Sequence, residues 1–147
     1  MSNKSFSEQQ EIIQKVQKLS EEFDNRIYPI ETGFWGSEPN PGTDNNPRLT
    51  ILLSNLISTA GGYYDTSNQY SKRRVSESNE KEIIFLNIRT LGGDQRSYSF
   101  LAHEFQHLIS FNQKTILRNT NDDIWFNEAR SEYASTLLGY SDAYSGS

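Results

Sequence analysis

Two stretches of this 147-residue chain have the composition of a buried strand: Leu49–Leu53 within RLTILLSNLI, and Glu82–Ile88, EIIFLNI. Their branched and aromatic side chains favour extended backbone. Short, almost continuously apolar strands of this kind must be covered by other elements. The covering elements are legible as helical stripes. Ile12, Val16, Leu19 and Phe23 recur at helical spacing on a helix predicted over 7–28. Ser7 is its predicted cap, Gln10 stands at the capping-box position, and Pro29 is expected to end it. A second helix opens at Asp94 or Ser97 and runs to about Asn112. A third covers about Ile124–Leu138, capped by Asp122 or Asp123 and stopped at Gly139. The order helix, strand, strand, helix, helix, with room for one more strand in the loops, predicts an α+β domain with helices packed on a small sheet.

The connections carry information too. Residues 36–47, GSEPNPGTDNNP, are turn-rich. The polar, glycine-marked run from Thr59 to Lys81 is a long excursion, and such a loop in a compact domain marks function or mobility. With 34% hydrophobic and 12% aromatic residues the chain is globular. A net charge of -5 leaves no basic stripe to neutralise phosphates, so nucleic acid is not the expected partner. The clusters Lys72-Arg73-Arg74 and Lys15/Lys18 read as solvated surface. No segment approaches ~18 consecutive apolar residues, so no membrane span is expected. The start lacks an apolar signal core, which implies a cytoplasmic protein if Met1 is the native start. Nothing in the sequence indicates an oligomeric state.

Both histidines of the chain lie in LAHEFQHLI, four residues apart, with Glu104 directly after His103. On a helix, i and i+4 differ by about 40° around the axis. His103 and His107 therefore face the same way, close enough to grip one ion, while Leu101, Phe105 and Leu108 fall on roughly the opposite side and anchor the helix. Two neutral imidazoles from one turn supply two corners of a tetrahedral zinc site. Glu104, rotated about 100° from His103, can reach a water at the metal without being a ligand. Two ligands and a general base are what the His-Glu-x-x-His pattern requires. There is no further histidine and no cysteine, so a third ligand must be a carboxylate. The stretch DDIWFNEARSEYAS offers Glu128 and, one turn later, Glu132. Twenty residues lie between His107 and Glu128, enough for a helix end, a reversal and a new helix. Trp125, Phe126 and Tyr133 on that helix read as core.

HEFQH followed at this distance by NEARSE resembles the gluzincin clan of zinc metallopeptidases. FLAHEFQHLISFN with WFNEARSEYAS is most similar to the hyicolysin-type family of that clan. FDNRIYPIETGFWG and SNEKEIIFLNI are similar to it as well, so the resemblance covers most of residues 20–140. It implies zinc ligands His103, His107 and Glu128, with Glu104 as the base. It also implies that Glu132, and Asn127 of the Asn-Glu pair, back the ligands. A carboxylate on the far ring nitrogen would fix a ligand's tautomer. The implied activity is hydrolysis of an extended polypeptide, bound along the sheet edge near the 60–90 segment, with Gly61-Gly62-Tyr63-Tyr64 shaping the rim. The implied location is secreted or cell-surface. The chain departs from the clan at its end. It stops nineteen residues after Glu128, where gluzincins carry a further subdomain that supplies a transition-state donor. The chain, 1–147, thus reads as a single upper catalytic subdomain, either a piece of a longer protein or a compact form. The rival expectation is a zinc-binding adhesion or interaction module with little or no peptidase activity.

Overall fold

A computed structural model of the chain describes residues 5–56, 61–92 and 95–140. Asp94, one of the two expected helix starts, lies outside them. Helix α1 (Phe6–Glu22) is capped two residues earlier than the sequence suggests. Ser5 Oγ accepts the Glu8 N–H, and Glu8 Oε2 accepts the Ser5 N–H at 2.7 Å. The helix does not end at Pro29. A π-helical turn, Phe23–Ile27, carries it into α2 (Tyr28–Trp35), with Pro29 in the first turn of α2. In the wide turn the Tyr28 N–H reaches back to Phe23 O. The break in the ordinary i to i−4 ladder removes the register that a proline would disrupt. Gly36, at φ +97°, then stops the helix in a conformation that favours glycine.

The sheet has three strands in the order β1-β3-β2: β1 (Thr50–Ser54), β2 (Gly62–Tyr64) and β3 (Ile83–Asn87). The two expected strands are present. They pair parallel, with Thr50 opposite Ile83 and Ser54 opposite Asn87. The third strand lies inside the long excursion and pairs antiparallel to β3, Gly62 opposite Leu86. The near-continuous apolar run of β3 follows from its central place. Its faces are covered, whereas β1 and β2 each have an open edge.

Helix α3 (Gln95–Ser110) lies across the sheet and continues into a π-helical turn, Phe111–Ile116. Leu101, Ala102, Phe105, Leu108 and Ile109 of α3 are fully buried. Phe105 meets Phe23 edge-on at 5.1 Å and stacks with Tyr28 at 5.7 Å, so the α1–α2 rod is fastened to α3 through aromatic contacts. Helix α4 (Ile124–Leu138) packs against α3 and ends at Gly139 (φ +83°), as expected. Asp123 holds the N-cap position without a side-chain cap bond. Asp122 instead pairs with Arg130 at 2.7 Å. The far end of α4 is clamped to α1. Arg26 donates to Leu138 O at 2.8 Å, and the Tyr140 hydroxyl donates to Glu22.

The aromatic residues of α4 depart from expectation. Trp125 is 69% exposed, and Phe126 and Tyr133 are also exposed. Ile124, the first residue of α4, is exposed as well, and Tyr133 lies against Phe34 and Trp35. The core takes Ser131, Ala134, Ser135 and Leu138 from α4 instead. The small residues let the two helices approach closely.

Candidate metal centre

With one side of α3 anchored in the core, His103 and His107 point towards α4. Their Nε2 atoms stand 3.1 Å apart. Glu128, from the second turn of α4, brings Oε2 to 3.5 Å from His103 Nε2 and Oε1 to 3.5 Å from His107 Nε2. One ligand atom from each of the three lies within 4.8 Å of the others, the sole such group of three or more among the described residues. A tetrahedral ion with ligands at ~2.05 Å separates its donors by about 3.3 Å. The observed spacings bracket that value, and two neutral nitrogens with one carboxylate are a donor set suited to a divalent ion such as zinc. Glu132, the other candidate carboxylate, is exposed to solvent.

The electrostatics keep the rings neutral. Burial, and then the charge His107 would carry, push His103 down to about 4. Burial also lowers His107, while Glu128 and Asn127 pull it back up. Glu104 moves the other way. Burial, then the Glu128 carboxylate, push it up to about 7, against the Tyr64 backbone amide that favours its charged form. A carboxyl group poised near neutrality beside paired imidazoles has the protonic properties of a general acid–base group.

Two neighbours of the histidines, Ser131 and Gln106, were not legible in the sequence. The group on His107 Nδ1 is the Ser131 hydroxyl at 3.0 Å, and Ser131 in turn bonds Gln106. The one available signal was spacing: Ser131 is three residues past Glu128 and so shares its side of α4. Apart from this site, Glu31 of α2 is fully buried, and neither of its carboxylate oxygens has a hydrogen-bond partner among the described residues. Tyr133 and Tyr140 do not line the cleft around the histidines.

That cleft has a volume of about 1090 Å3. Gly61, Gly62, Tyr63 and Tyr64 line it together with His103, His107 and Glu104. Glycine is needed at position 62, where a Cβ would stand 2.6 Å from the Phe85 carbonyl oxygen. No described helix is long and apolar enough to cross a membrane.

No protein-family model matches the chain, and no solved structure matches it. Among curated proteins it is similar to the neutral metalloprotease ShpI of Staphylococcus hyicus, with 30% identity over 131 residues. The match covers 78% of this chain and 29% of that protein, so the chain spans less than a third of its relative's length. Over most of its residues, then, this chain is similar to a metalloprotease, and its one His-His-Glu group among the described residues is of the kind that could hold a metal ion.

Proposed function

We propose that the chain is the catalytic unit of a zinc-dependent endopeptidase of the gluzincin type, close to the hyicolysin-type family, with His103, His107 and Glu128 as zinc ligands and Glu104 as the general base. The observation that carries this reading is the convergence of two imidazole nitrogens and one carboxylate, 3.1 and 3.5 Å apart, beside a carboxyl group raised to about 7. Zinc held there supplies a Lewis acid and makes a water molecule acidic enough to ionise near neutral pH. The chain's own residues do the rest. Glu104 takes a proton from the attacking water and delivers it to the leaving amine. The edge strand β2 offers its open side to an extended polypeptide, which adds as a further strand across the cleft. Asn127, half-buried at the start of α4, acts on His107 in the same sense as Glu128.

The test separates ligation from chemistry. Zinc content after chelator-free purification should be one ion per chain, and a fluorogenic peptide should be hydrolysed and protected by chelator. Glu104→Gln should keep the zinc and lose nearly all hydrolysis. A Glu104→Gln chain as active as wild type removes the mechanism. Zinc retained without peptide hydrolysis in wild type points to a binding module instead.

A further inference from the structure

His107 is held from behind by a neutral hydroxyl. Its Nδ1 lies 3.0 Å from Ser131 Oγ. Ser131 Oγ lies 2.7 Å from Gln106 Oε1 and 3.1 Å from the Asn127 carbonyl oxygen. Both Ser131 and Gln106 are fully buried, so water does not compete for these bonds. A hydroxyl has one proton and two lone pairs. Two carbonyl oxygens stand ready to take that proton, and the Gln106 one is close. The lone pairs of Ser131 are then left for the ring, and the ring nitrogen facing them must carry hydrogen.

The amide of Gln106 is itself oriented. Its Nε2 donates to Ser110 Oγ at 2.8 Å, and Arg130, which can only donate, reaches the same oxygen at 3.2 Å. Asp122 holds Arg130 from the other side. If the Gln106 amide is reversed, the Ser131 proton passes to the Asn127 carbonyl and the ring still faces a lone pair. Either way Nδ1–H is the favoured form, and Nε2 presents its lone pair towards His103 Nε2 and Glu128.

We propose that Ser131 is a positioning residue for His107, fixing the Nδ1–H tautomer so that Nε2 is ready to bind metal, with Gln106 holding the Ser131 proton. This rests on the zinc reading for its purpose but not for its geometry. Partners of this kind are typically worth 10–100-fold in metal affinity.

The experiment reads the ring directly. With two histidines in the chain, 15N spectra of the rings at pH 8 in chelator assign both tautomers, and zinc affinity is measured by competition. Wild-type His107 should carry its proton on Nδ1. Ser131→Ala should shift it towards the Nε2–H form and weaken zinc about 10–100-fold, and Ser131→Thr, which restores the hydroxyl, should recover both. A wild-type ring protonated on Nε2 overturns the proposal, as does a Ser131→Ala chain with unchanged tautomer and zinc affinity. Should Ser131→Ala fail to fold, the wild-type spectrum decides alone. A chain with His107 in the Nδ1–H form that takes up no zinc overturns the proposed function and leaves the tautomer assignment standing.

Discussion

Glu104 and His103 titrate in opposite senses. Glu104 is raised from 4.5 to about 7. The folded chain therefore holds that proton more tightly, and the stability this confers, full below pH 4.5, is lost as pH rises through 7. His103 is lowered from 6.5 to about 4. Its contribution is present above pH 6.5 and lost as pH falls through 4. Between these limits the two slopes oppose each other, and the metal-free chain should show little net pH dependence from this pair. Glu104→Gln exposes the imbalance. It should be more stable than wild type at pH 8.5 by on the order of 1–3 kcal/mol, and nearly equal at pH 4. Denaturant titrations in chelator measure this, and a constant difference across pH would refute the assignment. A bound dication reverses the local sign by favouring the Glu104 carboxylate, so activity should persist below pH 7. Glu31 is a separate case. Its carboxyl is fully buried with no hydrogen-bond partner among the described residues, and burial raises it well above the usual range. Glu31→Met should stabilise the chain by about 1–3 kcal/mol at pH 8 and by less at pH 4, where the carboxyl is neutral.

Among the elements, β2 is short and sits where precision is needed. It contributes three residues, pairs with β3 on one side and borders the cleft on the other. Adding a methyl at Gly62 sets a Cβ against the backbone oxygen of Phe85, which cannot swing aside. Gly62→Ala should cost about 1–3 kcal/mol of stability and reduce peptide hydrolysis while leaving zinc affinity unchanged. Normal hydrolysis in that variant would show that β2 does not guide the substrate. The same strand marks where sequence reading ran out. β1, β3 and α4 were legible within a residue or so because each carries its own local pattern. A three-residue strand has too little pattern, and its conformation is set by β3. Pro29 misled for a related reason: the π-helical turn that accommodates it is bounded by Phe23 and Tyr28, whose contacts with Phe105 are distant in sequence. His103, Glu104 and His107 were legible because one turn of helix fixes their relation. Choosing between Glu128 and Glu132 needed the rotation of α4 against α3, which no local rule supplies and which the resemblance decided. Ser131 and Gln106 were missed because buried small polar residues look like packing until their partners are seen.

At the scale of the whole molecule, the proposed zinc ties α3 to α4 across twenty residues of intervening chain. At free zinc a thousandfold above Kd this adds about 4 kcal/mol to stability, or roughly 10 °C in Tm for a chain of this size. Calorimetric scans with and without chelator should show the shift, and His103→Ala should abolish it. An equal shift in His103→Ala would place the stabilising ion elsewhere. The exposed first turn of α4 has an optical consequence. The chain has two tryptophans, Trp35, half-buried against Tyr133, and Trp125, open to water. Trp125 is three residues before Glu128, one helical turn along the same side. Its emission should be that of a hydrated indole and should move to shorter wavelength when a peptide settles over the cleft mouth, so that docking can be followed in Glu104→Gln without any label and without turnover.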